Sequence, residues 1–186
     1  LFLIPVKVVD RKKYVQKDRN YVFVANHQGM FDVFIMYGYV GQRFKWIMKD
    51  TLRKIPLLGK ACADTGHIFV NRTTPQKDLL RKSISILKSG TSMGIFPEGT
   101  RCRNGKMGKF KKGAFVIANM TQTPVLPITI DGAYNILPKG CKCLHWSPVT
   151  LTFHAPIECQ GRDSENVERM MHEAETVIAN TLYKNK

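Results

Sequence analysis

Carboxylates are scarce in this chain. Its 186 residues hold 14 Asp and Glu against 29 Lys and Arg, a formal net charge of +15. That balance excludes a surface built to attract basic partners. It suits polyanions instead: nucleic acid, an anionic bilayer, or acidic metabolites and carriers. Long apolar runs are missing too. None reaches the roughly 18 residues a membrane span needs. The apolar start LFLIPVKVV is short, contains Pro5 and Lys7, and has no signal-peptide pattern. The chain does not begin with Met, which leaves room for an upstream membrane segment. Paired cysteines are absent as well. Cys62, Cys102, Cys141, Cys143 and Cys159 are odd in number, and their one close pair is a C-x-C. A zinc-type spacing is thereby excluded, and a reducing compartment is the simpler inference.

What is present is a globular composition, 44% apolar, in a length that suits one domain with a sizeable core. Strands are expected over 6–9 (an edge strand), 22–25, 44–48, 67–70, 92–96, 125–130 and 149–153. Helices are expected over 31–40, 114–120 and 165–182, with a short helical piece over 51–55 stopped by Pro56. A further helix should start at Thr74, as cap, with Pro75 in first position, and end at Gly90. Its apolar residues Leu79, Leu80, Ile84 and Leu87 keep close to helical period. The stretches 10–20 and 97–113 read as a basic turn and a long polar loop. Alternating strands and helices predict a single α/β domain over 1–186, with a mostly parallel central sheet and helices on both faces. No internal repeat or linker divides it.

The stretch VFVANHQGMFD, 22–32, organises the candidate chemistry. Its strand gives way to Asn26 and His27, Gly29 loosens the backbone, and Met30, Phe31, Val33 and Phe34 open a new apolar pattern. Within one helix His27 and Asp32 would point about 140° apart. With the helix starting after His27, the histidine sits on the strand-to-helix turn and Asp32 in the first or second helical turn. The carboxylate then reaches back to the imidazole, fixes its tautomer and leaves the other nitrogen free to take a proton. The alternative is a histidine merely satisfied at a helix start.

Functional loops of a parallel sheet gather at the carboxyl ends of its strands. Two more polar clusters fall there: Asn71 and Arg72 after 67–70, and Glu98, Gly99, Thr100 and Arg101 after 92–96. Arg72 and Arg101 together could clamp a phosphate. Lys109, Lys111 and Lys112 extend that anion site or face solvent. Cys102 beside them has no evident base. His67, His145, His154 and His172 make no metal-like pair, and Trp46 and Trp146 suit either a core or a membrane interface.

NHQGMFD (26–32), GHIFVNR (66–72), FPEGTR (96–101) and VLPI (125–128) resemble, in order, the four sequence blocks of the glycerolipid acyltransferases, above all the lysophosphatidate acyltransferases. KDTLRKIPLLGK (49–60) and FKKGAF (110–115) look like neighbouring segments of that family, so the likeness spans 6–157. One departure is Gly29, where the family commonly has serine. The resemblance implies a glycerol-3-phosphate acyltransferase-like fold. It implies His27 as general base, Asp32 as its partner, and Arg72, Glu98, Gly99, Thr100 and Arg101 on the glycerol phosphate of the acceptor. Val125, Pro127 and Ile128 would line an acyl pocket, although a buried core strand explains them equally well. Backbone N–H groups near Gly29 would stabilise the oxyanion.

The same resemblance implies acyl transfer from an acyl-CoA or acyl carrier protein thioester to a lysophospholipid, giving phosphatidic acid, with no metal, cofactor or covalent acyl-enzyme. Glycerol 3-phosphate and other lysophospholipids are alternative acceptors. The partner surface is an anionic membrane, and the expected location is membrane-associated with the site facing the cytoplasm. The competing class is a non-catalytic basic lipid- or nucleic-acid-binding module. Charge alone supports it, because no nucleic-acid-binding signature accompanies the basic residues.

Overall fold

The computed structural model describes residues 4–54, 58–71, 73–102, 104–137 and 143–184, with the side chains of Leu58 and Ala61 outside that description. Short runs rich in β-branched and aromatic residues become the seven strands β1 (Val6–Val9), β2 (Val22–Ala25), β3 (Phe44–Lys49), β4 (Ile68–Val70), β5 (Ser92–Ile95), β6 (Val125–Asp131) and β7 (Val149–Phe153). They form one sheet in the order β1-β7-β6-β2-β5-β3-β4. The five strands from β6 to β4 are mutually parallel. β7 runs antiparallel to β6, with Asp131 opposite Thr150, and β1 follows β7 in parallel, with Val6 opposite Val149. The expected edge strand 6–9 and the mostly parallel sheet are therefore both present.

Alternation along β2 builds two cores. Tyr21, Phe23 and Ala25 pack on one face with α2 (Phe31–Tyr39) and α6 (Ala133–Ile136). Val22 and Val24 pack on the other with α4 (Gln76–Lys88), α5 (Gly113–Thr121) and α7 (Ser164–Tyr183). Helix α7 shows the sequence logic plainly. Val167, Met170, Ala174, Ile178 and Leu182 recur at helical spacing and are all buried. Full burial of a side chain such as Ile178 contributes about 1.5–3 kcal/mol. The Asp163 side chain starts this helix by accepting from the N–H of Asn166 at 2.8 Å.

Several local expectations change. The 51–55 piece is a 3-10 helix, Asp50–Lys54, and Ile55 and Pro56 lie outside the described residues. Short helices α1 (Arg11–Tyr14), α3 (Leu58–Asp64) and α6 occupy stretches whose apolar pattern is too brief to announce a helix. Thr74 does not cap α4. Its hydroxyl donates to Oδ1 of Asn71 at 2.9 Å and accepts from the Asn71 N–H, closing a turn ahead of the helix. Gly90 does end α4, in the left-handed region at φ 78°.

Candidate active site

His27 leaves the carboxyl end of β2 one residue after Asn26, which clips β2 to β6. The Asn26 amide donates to the Ile130 carbonyl and accepts from the Ile130 N–H, both at 2.8 Å. Four residues later α2 begins, so Asp32 stands in its first turn. Asp32 Oδ2 lies 2.7 Å from His27 Nδ1. The same oxygen accepts the N–H groups of Gln28 at 2.6 Å and Gly29 at 2.9 Å. An oxygen that already accepts two N–H groups makes Nδ1 the donor. The protonated Nδ1 leaves Nε2 as the basic nitrogen. The His27 side chain is 17% exposed and that of Asp32 fully buried.

The oxyanion expectation narrows here. The Gln28 and Gly29 N–H groups point at Asp32, so they are not free to hold an oxyanion. Gly29 itself is tightly placed: a Cβ there would lie 3.2 Å from the Ala133 carbonyl oxygen of α6. A serine, which the resemblance leads one to expect at this position, would need that carbonyl to give by a few tenths of an ångström.

The FPEGTR loop wraps the histidine from the neighbouring strand β5. The Phe96 ring stacks on the imidazole at 3.9 Å, and the Trp46 ring stacks on Phe96 at 4.7 Å. Glu98 is buried and faces inward. Its two oxygens accept the His27 N–H and the Gly108 N–H, each at 2.7 Å. Burial pushes its carboxyl above the usual value, against the pull of those two N–H groups and of His27. This carboxylate, expected on the acceptor, is engaged by the backbone of the histidine and of Gly108. The Cys102 N–H donates to the His27 carbonyl at 2.9 Å, a third tie between the two loops. The Cys102 thiol is buried and reaches the Gln28 carbonyl at 3.5 Å.

Gly99 adopts φ 71°, and its N–H closes a turn onto the Phe96 carbonyl at 3.0 Å. Any side chain there would be strained and would meet Lys111. Thr100 is exposed and Arg101 half-buried, and the Arg101 guanidinium makes no ion pair among the described residues. Lys109 and Lys111 are exposed, whereas Lys112 pairs with Glu168 at 2.6 Å. Arg72 lies outside the described residues; the Asn71 side chain just before it accepts from Thr73 and Thr74. Val125, Pro127 and Ile128 sit buried in β6, with Val125 in one core and Ile128 in the other. No group of three or more His, Cys, Asp or Glu among the described residues is placed to hold a metal ion.

The acyltransferase family model matches residues 7–131, a span that contains the His27–Asp32 pair and the FPEGTR loop. The chain belongs to the acyltransferase family. It is 40% identical to a chloroplastic 1-acyl-sn-glycerol-3-phosphate acyltransferase of Brassica napus, over 73% of this chain and 40% of that protein. Identity to the chloroplastic Arabidopsis thaliana protein of the same activity name is 36%, over 87% of this chain and 44% of that one. The crystal structure of the 1-acyl-sn-glycerophosphate acyltransferase PlsC from Thermotoga maritima superposes with a TM-score of 0.86 at 34% identity, covering 97% of this chain and 72% of that one. This acyltransferase chain thus spans well under half the length of the two chloroplastic relatives. The resemblance read from the four blocks and the acyltransferase-like α/β fold are both present.

Proposed function

We propose that this acyltransferase chain moves a fatty acyl group from an acyl thioester to the free hydroxyl of 1-acyl-glycerol-3-phosphate, giving phosphatidic acid. The observation that carries the reading is the 2.7 Å contact between His27 Nδ1 and Asp32 Oδ2, which leaves Nε2 as the base. His27 Nε2 takes the hydroxyl proton as the oxygen attacks the thioester carbonyl carbon. The tetrahedral intermediate collapses, the C–S bond breaks, and the imidazolium returns the proton to the leaving thiolate. Asp32 orients the ring and stabilises the imidazolium. General-base help of this kind is worth ~10²–10⁴ in rate, and positioning of the two substrates supplies much of the remainder.

Arg101 and Thr100, with Arg72, are assigned to the acceptor phosphate, and Gly99 shapes the turn that presents them. Glu98 acts as a positioning residue, holding the His27 backbone. The donor is acyl-CoA or acyl carrier protein, and the reaction needs no cofactor. The lipid acceptor and the +15 charge support work at an anionic membrane surface, with the site on its cytoplasmic side. No helix among the described residues is long and apolar enough to cross a membrane.

The test is transfer of radiolabelled oleoyl from coenzyme A to lysophosphatidate in mixed micelles, with His27→Ala beside the unaltered chain. Labelled phosphatidate from the unaltered chain alone, with equal circular dichroism for both, supports the proposal. Product from His27→Ala at a comparable rate sinks the mechanism. Product only with glycerol 3-phosphate or another lysophospholipid moves the acceptor but keeps the chemistry.

A further inference from the structure

The two most exposed large apolar side chains among the described residues are Trp146 at 69% and Leu144 at 65%; Met120 at 50%, in α5, and Met30 at 44%, just ahead of α2, follow. Their place in the fold is informative. β6 ends at Asp131 beside Thr150 of the antiparallel β7. The described parts of the connection, 132–137 and 143–148, therefore leave and re-enter the sheet at the carboxyl pole of the parallel strands, where His27 sits. It is pinned at two points. The His145 N–H donates to the Ile136 carbonyl of α6 at 2.9 Å, and the Ser147 hydroxyl donates to the Gly132 carbonyl at 3.2 Å. Helix α6 in turn abuts the active-site turn at Gly29, and the Gln28 side chain accepts the Tyr134 N–H at 3.2 Å. Leu144 and Trp146 thus flank a fixed point one helix away from Met30, the next residue of that turn.

The same pole is positively charged. Lys49 ends β3 and Lys54 follows it, and Lys106, Lys109 and Lys111 follow β5. All five are exposed, and none makes an ion pair among the described residues. The exposed carboxylate beside them, Asp50, is taken by Arg53 at 3.5 Å. A tryptophan and a leucine held outward beside unpaired lysines match the headgroup region of a bilayer, where an indole prefers the interface and lysines meet anionic lipid.

We propose that the 144–146 segment, together with Met30, is the face by which this chain docks on an anionic bilayer. Docking there turns the His27 turn toward the lipid surface. That consequence for catalysis rests on the acyl-transfer reading above, whereas the docking itself does not.

The chain's two tryptophans make the test direct, because Trp46 is 1% exposed inside the core and Trp146 is outside. Emission is followed while vesicles of phosphatidylcholine with phosphatidylglycerol are added, beside vesicles of phosphatidylcholine alone. A blue shift with the anionic vesicles, absent in Trp146→Phe, is expected. The double variant Leu144→Ser/Trp146→Ser should partition into those vesicles about ten-fold less or weaker still. It should acylate vesicle-borne lysophosphatidate correspondingly slowly, yet match the unaltered chain on a short-chain, monomeric lysophosphatidate. Unchanged Trp146 emission on vesicles that sediment with the protein, or no binding even at low salt, overturns the docking face. If neither protein acylates the monomeric acceptor, the acyl-transfer reading fails, and the fluorescence still decides the docking.

Discussion

The imidazole of His27 lies flat on the phenyl ring of Phe96, with ring centroids 3.9 Å apart and planes 6° from parallel. An imidazolium is attracted to an aromatic face more strongly than a neutral ring is, by about 0.5–2 kcal/mol. In the proposed reaction His27 gains positive charge on taking the hydroxyl proton, so the attraction would grow toward the transition state. Phe96→Leu is therefore expected to lower kcat by about 3- to 30-fold, with KM for both substrates changed little. Phe96→Tyr, which keeps the ring, should restore most of the rate. Steady-state kinetics on the three proteins check this; an equal loss in Tyr and Leu would assign Phe96 to packing alone.

Glu98 supplies two acceptors to two buried N–H groups. In Glu98→Gln one acceptor becomes a donor facing an N–H. A stability loss of about 1–3 kcal/mol is expected, measured by urea unfolding. The rate should fall as well, with KM for the acceptor nearly unchanged, because both carboxylate oxygens are already engaged by backbone N–H groups. A selective rise in the acceptor KM would return Glu98 to the substrate.

Arg101 offers the opposite pattern. Its guanidinium makes no ion pair among the described residues, so Arg101→Ala should leave the melting temperature unchanged. A lost hydrogen bond to a charged group costs about 1.5–3 kcal/mol. KM for lysophosphatidate should therefore rise about ten- to hundred-fold, with Arg101→Lys intermediate. An unchanged KM would remove Arg101 from the acceptor site.

His67 ties stability to pH. Its Nδ1 accepts the Trp46 N–H at 3.1 Å, so Nε2 carries the proton toward the Tyr37 hydroxyl. Burial, aided by the Lys45 charge, pushes its pKa from 6.5 down to about 4. The unfolded chain then binds this proton more readily than the native one. Stability from this residue is intact above pH 6.5, falls as the pH drops, and is gone below about pH 4. Discounted for partial exposure, the loss is on the order of 2 kcal/mol. His67→Asn keeps an acceptor for Trp46 and should flatten this slope in urea melts taken across the range.

The legible part of this protein is the part written in local pattern. The switch from VFVA to NHQG marks where β2 ends, and the five-residue reach from His27 to Asp32 follows from a helix starting after the turn. Glu98 was legible as a motif residue but not in its direction, because spacing says nothing about which way a loop carboxylate points. The stack of His27 on Phe96 joins β2 to β5 and has no signature in either segment. Asp32 captures the N–H groups of Gln28 and Gly29, a competition visible only in three dimensions. Thr74 had the composition of a cap, yet Asn71 offered its hydroxyl a nearer partner.

The reversal between β6 and β7 also decides how this protein can be handled. Because β1 and β7 run against the other five strands, Pro5 lies at the carboxyl pole, where its carbonyl accepts the Val149 N–H at 2.9 Å. Helix α7 returns to the same pole, and its Tyr183 hydroxyl accepts the Met107 N–H at 2.9 Å. Pro5 and Tyr183 therefore both lie at the pole that carries His27. A fluorophore placed at Pro5 or Tyr183 would report on the pole that carries His27. One grafted into the 41–43 turn, ahead of β3, would sit at the far pole, away from His27.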